Sequence, residues 1–547
     1  MTSFSRYPLR TITALALLLS WAPVDSTASA EPQRPNLIIL LADDLGYSDI
    51  GCFGSEIDTP HLDALAAGGL RFTSFYNTAR CCPTRAALLT GMYPHQAGIG
   101  RMVRDEGAPG YRGRLNPTTP TIAEMLFESG YRTYMVGKWH VTPFDYATRE
   151  TPDVGSWPLA RGFERFYGTL AGGGSYFDPC SLMDEGEFCA PDPEAYYYTD
   201  ALGERAAKNV RESAASDRPF FMYVAFTAPH WPLHATEEDI AIFAGRYDAG
   251  WDELRRTRLA RMKELGVVDD RFTLTPRDRR VKAWEETPDH AWQSRRMEVY
   301  AAQVYAMDRA IGRIVEALKE TGRLADTLIL FLADNGGCDE LLRLNNAEQR
   351  RHYYANPVPN LRTGNDPSLA PGPRDTFASY GVGWANASNT PFRLYKKRIH
   401  EGGSATPLVV HWPKGIRAKG EFRRQVGHVI DLMPTCLDAA GLTATRRRRD
   451  GAPLALEGKS LLTAFDDRPL ERDALYWEHF GNAGIREGDW KLVREGGKPW
   501  ELYDLNRDPT EMNDLAADHP EKVAALEKKY DAWESRCKVV PRPGKQR

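Results

Sequence analysis

Residues 35–44 read Pro35-Asn36-Leu37-Ile38-Ile39-Leu40-Leu41-Ala42-Asp43-Asp44. Leu37 to Leu41 is an unbroken run of Leu and Ile with no apolar–polar alternation. That is the pattern of a strand buried on both faces. Two carboxylates follow it directly. In open parallel sheets, ligands bind outside the carboxyl ends of the strands, so Asp43 and Asp44 stand where a ligand would.

Outward from this strand, apolar runs alternate with helical patterns from Asn36 to about Val429. The spacing predicts a helix over His61 to Ala67, capped by Thr59, with Pro60 in its first turn and Gly68-Gly69 at its end. Further strands are predicted at Phe72–Tyr76, Tyr134–Val136, Phe220–Phe226 and Leu328–Leu332. Further helices are predicted at Thr121–Glu128 and Glu298–Thr321. The alternation predicts an α/β fold whose parallel sheet is covered by helices on both faces. Residues 240–295 are charged and predict a helical insertion, with helical spacing over Trp251 to Leu265. Residues 339–390 carry no period and predict a long loop. Beyond residue 455, short strands at Leu475–Trp477, Trp490–Val493 and Glu501–Tyr503 precede a helix at Pro520–Trp533, which predicts a smaller antiparallel α+β unit. Arg446 to Arg449 reads as a solvated linker. The expected organisation is a leader at 1–30, an α/β domain at 31–445 and a C-terminal subdomain at 446–547.

The leader reads as an export signal. Arg6 and Arg10 make a positive start, Ile12 to Leu19 is apolar, and Ala28-Ser29-Ala30 is a small-x-small cleavage site. The apolar run is shorter than the roughly 20 residues that span a bilayer. No Cys follows the cleavage site. The expected location is therefore periplasmic or secreted, with no membrane anchor. Export permits disulfides, and Cys180 with Cys189 is the candidate pair, two free thiols being the alternative. The 547 residues are 42% hydrophobic and 26% charged, which excludes a disordered chain and a polytopic membrane protein. A net charge of -4 gives no basic bias, so no nucleic-acid partner is expected. Asn386-Ala387-Ser388 matches a glycosylation acceptor.

Polar residues of unusual type recur at the predicted strand ends. Lys138-Trp139-His140 follows Val136, His230 follows Phe226, and Asp334-Asn335 follows Leu332. Taken singly, Asp44 reads as a helix cap, His140 as a core histidine and Lys138 as a solvated charge. Taken together, four strand ends aim acids, a lysine and two histidines at one edge of the sheet. Asp43, Asp44, Asp334 and Asn335 offer only oxygen donors, which suit Ca²⁺ or Mg²⁺ better than zinc. Three adjacent carboxylates without a cation repel one another. The most specific segment is Cys81-Cys82-Pro83-Thr84-Arg85-Ala86-Ala87-Leu88-Leu89-Thr90-Gly91. It follows a strand and opens a helix, whose N-terminus favours an anion, and Arg85 adds a fork that matches sulfate or phosphate.

With Cys81-x-Pro83-x-Arg85 followed by Leu89-Thr90-Gly91, the sequence resembles the sulfatase family, and its bacterial arylsulfatase branch in particular. The resemblance extends through Ala42-Asp43-Asp44-Leu45-Gly46-Tyr47, Gly137-Lys138-Trp139-His140, Ala228-Pro229-His230-Trp231-Pro232, Asp334-Asn335-Gly336 and His400-Glu401-Gly402-Gly403. It implies an alkaline-phosphatase-like mixed sheet covered by helices, with a smaller C-terminal domain. It implies that Cys81 is oxidised to formylglycine by an activating enzyme. Asp43, Asp44, Asp334 and Asn335 would hold one Ca²⁺, with Mg²⁺ the lesser candidate. Arg85, Lys138 and His140 would surround Cys81, and His230 and Lys396 would face the sulfate and the leaving oxygen. Thr84 stands where Ser is commoner in the family. The implied reaction is hydrolysis of a small-molecule or glycan sulfate ester, an aryl sulfate foremost, through a formylglycine hydrate and a covalent sulfoenzyme. The competing readings are a phosphonate or phosphate ester hydrolase on the same fold, and a non-catalytic binder of sulfated glycans. Substrate specificity is expected in the Tyr353–Trp384 and Gly172–Phe177 stretches.

Overall fold

The computed structural model describes residues 1–2, 8, 34–344, 346–442, 451 and 453–540. The leader features at Arg6, Arg10, Ile12–Leu19 and Ala28–Ala30 and the Arg446–Arg449 run lie outside these residues. The main sheet takes in β1 (Asn36–Ala42), β2 (Leu70–Tyr76), β3 (Arg132–Gly137), β4 (Arg165–Thr169), β5 (Leu182–Asp184), β6 (Glu187–Phe188), β7 (Phe220–Ala225) and β8 (Thr327–Ala333). Two short strands, β9 (Arg362–Thr363) and β10 (Thr376–Phe377), pair with each other. The chain then returns to the main sheet as β11 (Ala405–His411), β12 (Glu421–Arg423) and β13 (Gly427–His428). The order across the sheet is β12-β2-β11-β8-β1-β7-β3-β4-β5-β6, with β13 also on β2.

The Leu37–Leu41 run lies at the middle of this sheet, parallel to β7 on one side and β8 on the other. Every residue of β1, β7 and β8 is buried, as cover on both faces requires. The Pro60–Ala67 and Tyr198–Ser213 helices pack on the long His290–Glu320 helix, while the Cys81–Thr90, Ile122–Glu128 and Leu432–Ala439 helices pack on one another. The sheet is mixed rather than wholly parallel. β11 runs antiparallel to both β2 and β8. The reason is topological: the chain remains at the edge where β8 ends, so it re-enters the sheet from that edge.

Several local expectations need correction. Thr59 does not cap the Pro60–Ala67 helix; its hydroxyl accepts Gly51 N–H at 2.8 Å and donates to Asp63 at 3.2 Å. The N–H groups of His61 and Leu62 are instead taken by the Asp308 carboxylate, at 3.0 and 2.8 Å. The long helix begins at His290, ahead of the predicted Glu298. Tertiary contacts hold that polar first stretch: Trp292 Nε1 donates to Leu369 O at 2.8 Å and Arg296 Nε to Ser379 O at 2.9 Å. Residues 339–390 are not structureless, since Leu342, Tyr354, Val358, Leu361 and Phe377 form a small core and Gly381–Ser388 is a helix. That helix buries Asn386, which removes it as a surface glycosylation acceptor. Cys180 and Cys189 are both free. The β5–β6 hairpin sets Cys189 N on Leu182 O, two residues out of register with Cys180.

The C-terminal unit is an antiparallel meander of β14 (Leu475–His479), β15 (Asn482–Glu487), β16 (Trp490–Arg494) and β17 (Glu501–Asp504), with the Pro520–Arg536 helix against β15 and β16. β15 escaped the sequence pattern because Gly484 interrupts it; a Cβ there would meet Ile399 Cγ2 at 2.7 Å. The meander docks where β2 ends. Trp477 Nε1 donates to Asn77 O at 2.8 Å, and its ring meets Tyr76 edge-on at 5.6 Å. Arg34–Arg547 form one compact unit. Among the described residues, no helix is long and apolar enough to cross a membrane.

Candidate active site

The carboxyl ends of β1, β2, β3, β7 and β8 all open at the same edge, and each delivers polar side chains there. β1 delivers Asp43 and Asp44. β2 runs through Asn77–Arg80 into the Cys81–Thr90 helix, which places Cys81 in its first turn and Arg85 one turn on. β3 delivers Lys138 and His140, β7 leads to His230, and β8 delivers Asp334 and Asn335. Lys396 arrives from the segment before β11. All ten side chains fall within the buried interior, at most 5% exposed. Asp44 and His140 hold left-handed φ angles of 65° and 53°. Such backbone is costly for these residues and tends to persist where surrounding contacts fix it.

The charges interlock. Lys138 Nζ donates to Asp43 Oδ2. Arg85 reaches Asp334 Oδ2 through Nε at 3.0 Å and Nη2 at 2.8 Å, and donates from Nη1 to Lys138 O at 2.8 Å. Lys396 Nζ sits 2.6 and 2.8 Å from the two oxygens of Asp44. His230 Nε2 lies 3.5 Å from Asp44 Oδ2, while its Nδ1 meets Trp231 O at 2.6 Å. Asn335 Nδ2 donates to Asp44 Oδ1 at 2.6 Å, and Asp44 N–H points at Asp334 Oδ1 at 3.4 Å. Lys397, next to Lys396, turns away to Glu340. Thr84 donates to Asp334 O at 2.6 Å and accepts Thr78 N–H at 3.0 Å, so the hydroxyl that replaces the commoner Ser is fully engaged.

The ionisation pattern follows from this packing. Burial raises the Asp43 carboxyl, but Lys138, His230 and Arg85 outweigh it and bring it to about 2. Asp334 moves the other way: burial and the charge of Asp43 push it well above the usual carboxylate range, against Arg85. The hydrogen bond with Cys82 and the charges of His140, Lys138 and Lys396 hold the Cys81 thiol well below its ordinary value, although burial opposes them. Burial lowers His140 to about 4. For Lys396, burial disfavours the charge, but Asp44 overrides it and pushes the ammonium well above its usual range.

This cluster suits a hard cation. Asp43 Oδ1 and Asn335 Oδ1 are buried and accept no hydrogen bond, which is costly for such oxygens unless something else binds them. Asp43, Asp44 and His230 each offer a ligand atom within 4.8 Å of the others. Burial and the neighbouring Asp43 raise Asp334 even with Arg85 beside it, a conflict that a bound cation would relieve. The donors are mainly oxygens, which select Ca²⁺ or Mg²⁺.

Two relationships escaped the sequence reading, although Gly172 itself begins a stretch expected to set specificity. Gly172 lies against His140, where a Cβ would come within 2.3 Å of the ring. Glu340, six residues past Asp334, holds Lys397 and accepts Trp231 Nε1 at 3.0 Å. Its position just beyond the β8 strand end was the available signal.

The sulfatase family profile matches residues 35–442, which spans all ten of these positions. The chain belongs to the sulfatase family. A second profile, that of the C-terminal part of N-sulphoglucosamine sulphohydrolase, matches residues 391–534. Among relatives, this sulfatase is 34% identical to an uncharacterised sulfatase of Schizosaccharomyces pombe, covering 94% of this chain and 96% of that one. It is 34% identical to an arylsulfatase of Klebsiella aerogenes, covering 82% of this chain and 96% of that one. Among solved structures, Ps i-CgsB in complex with k-i-k-neocarrahexaose shares 27% identity at a TM-score of 0.65, over 92% of this chain and 93% of that one. The protein is thus a sulfuric ester hydrolase on the alkaline-phosphatase-like mixed α/β fold, and its substrates are sulfate esters.

Proposed function

We propose that this sulfatase hydrolyses aryl sulfate monoesters, with Cys81 oxidised to formylglycine by an activating enzyme and one Ca²⁺ at Asp43, Asp44, Asp334 and Asn335. The observation that carries the reading is the ring of cations and histidines around Cys81: Arg85 from its own helix, Lys138 and His140 from the end of β3, His230 from beyond β7 and Lys396 from before β11, all of them buried. The hydrated aldehyde supplies two hydroxyls on one carbon, one to displace the alcohol from sulfur and one to expel sulfate. The cation supplies positive charge beside the sulfate oxygens, with Ca²⁺ preferred to Mg²⁺ for its tolerance of irregular oxygen ligands.

The chain's own groups do the rest. Arg85, Lys138 and Lys396 hold fixed positive charge in a water-excluded pocket, where it stabilises a developing anion most strongly. Asp334, as the ionised carboxylate that Arg85 holds, accepts a proton from the attacking hydroxyl. His230, whose Nδ1–H is held by Trp231 O, protonates the departing phenol oxygen from Nε2 in its imidazolium form, which Asp44 favours against burial. His140, whose ring is neutral, takes the proton of the second hydroxyl. The apolar rim favours an aryl leaving group: Tyr146 and Tyr353 stack at 4.4 Å, and Trp231 lies 6.1 Å from Tyr353. Export to the periplasm or medium completes the proposal.

Mass spectrometry of the peptide that holds Cys81 tests it. Loss of sulfur and two hydrogens with gain of one oxygen is expected in active preparations, together with release of sulfate from 4-nitrophenyl sulfate. Full turnover by a chain that still carries the thiol would overturn it. Parallel assays on an aryl phosphonate separate the sulfatase reading from a phosphonate hydrolase.

A further inference from the structure

A second cavity, of about 400 Å³, opens beside the sulfate cluster and shares none of its ten residues. Trp231, Glu340, Arg343, Asn346, Arg350 and Lys397 line it. Its position relates it to the leaving group. The Trp231 ring centroid lies 4.4 Å from that of His230, the group proposed to protonate the departing oxygen. With His230 in that role, a group attached to the departing oxygen would come to lie beside Trp231.

The charges in this cavity are not balanced. Three cations face one carboxylate, and that carboxylate is already engaged. Glu340 Oε1 takes Lys397 and lies 3.5 Å from Arg80, and Oε2 accepts Trp231 Nε1 at 3.0 Å. Lys397, Lys396 and Arg80 keep Glu340 ionised despite its burial. Among the described residues, Arg343 and Arg350 have no carboxylate partner. Arg350 is oriented by rings instead: its guanidinium carbon lies 5.2 Å from the Trp231 centroid and 5.1 Å from those of Tyr353 and Phe377. Three rings flank the half-buried guanidinium, one of its N–H groups bonds the Tyr353 hydroxyl, and the remaining N–H groups are available to a ligand in the cavity. The ester sulfate cannot be that ligand, because Arg85, Lys138 and Lys396 already serve it.

We infer that this cavity binds a second anionic group, a carboxylate or sulfate, carried on the leaving group of the substrate. The inference rests on the reading of the main site as an aryl sulfatase and names the class of aryl sulfate it takes. A charge-assisted hydrogen bond of ordinary strength is worth about tenfold in kcat/KM.

The test compares phenyl sulfates that bear a ring carboxylate, a ring sulfonate or a neutral carboxamide, in both meta and para series. The matured enzyme should prefer one or both anionic substrates about tenfold or more over the carboxamide, chiefly through KM, and the preference should shrink as salt rises. The sulfonate arm separates a sulfate-like ligand from a carboxylate. R343Q and R350Q should each erode the preference while leaving kcat/KM for the carboxamide near that of the parent. If R350Q disturbs the aromatic cluster and slows both substrates, R350K, which keeps the charge, should restore part of the preference. Equal rates on charged and neutral substrates in the parent enzyme overturn the inference. A parent enzyme inert on all three overturns the underlying arylsulfatase reading instead, so the two failures are distinguishable.

Discussion

Arg85 grips Asp334 with two nitrogens on one oxygen, Nε at 3.0 Å and Nη2 at 2.8 Å from Oδ2, and both side chains are closed to solvent. Its third nitrogen reaches Lys138 O at 2.8 Å. One planar group therefore joins the Cys81 helix to the ends of β3 and β8. Lysine has a single nitrogen and cannot reproduce the fork. Arg85→Lys is expected to lower kcat/KM by a factor on the order of 10² to 10³. It should also destabilise the fold by about 3 kcal/mol, because the buried carboxylate loses part of its partner. Steady-state kinetics and a denaturant titration of the same preparation check both. A variant with near-parental rate would show that the fork positions nothing the reaction needs.

On the proposed mechanism, Cys81→Ala removes the nucleophile precursor. The side chain is small and buried, and its hydrogen bonds run to Cys82 and His140, so the fold should survive its loss. Turnover of 4-nitrophenyl sulfate should vanish while far-UV circular dichroism and the thermal midpoint stay close to those of the parent. Parental turnover in this variant would refute Cys81 as the reacting position.

Gly172 tests the packing of the site from behind. A methyl group there would lie 2.3 Å from His140 Cε1 and Nε2, so the ring must move. A displacement near 1 Å of a group in the reaction path costs about 100-fold in rate. Gly172→Ala should therefore lower kcat far more than it lowers the thermal midpoint. If His140 has no part in the reaction, the substitution will leave kcat unchanged.

Chelation addresses the orphaned oxygens. Among the described residues, Asp43 Oδ1 and Asn335 Oδ1 have no hydrogen-bond partner. A cation that satisfies them also stabilises the folded state by mass action. Treatment with a Ca²⁺-selective chelator should abolish activity and lower the thermal midpoint together, and both should return with Ca²⁺. Asn335→Ala should weaken the midpoint's response to Ca²⁺. A thermal midpoint indifferent to chelation would place no cation here.

The site was legible in the sequence because strand ends are legible. An unbroken apolar run such as Leu37–Leu41 locates a central strand, and the polar residues after it are then placed without knowledge of the other strands. What the sequence hid is what depends on distant partners. The direction of β11 follows from where the chain travels between Asp334 and Ala405. Gly172 is ordinary until His140 is placed beside it. The separation of Lys396 from Lys397 rests on Asp44 and Glu340, 352 and 57 residues away respectively. Even the expected cap at Thr59 failed because Asp308, 247 residues from His61, does that work.

Asp308 carries the last prediction. Its carboxylate accepts the His61 and Leu62 N–H groups at the start of the Pro60–Ala67 helix, yet lies buried beside Asp63. Burial dominates and raises it from 3.8 to about 7, against the two hydrogen bonds. An acid raised in the folded state keeps its proton there after the unfolded chain has released it. Between about pH 4 and pH 7 the folded form therefore binds one more proton at this position, so stability falls as pH rises through that window and is level above it. The slope is roughly 1.4 kcal/mol per pH unit at most. Asp308→Asn abolishes this titration but forfeits one acceptor, so it should be the weaker protein at the acid end and recover relative to the parent as the pH increases. Thermal midpoints of both proteins across the window read the difference directly. Parallel curves would mean that Asp308 titrates alike in the folded and unfolded chains.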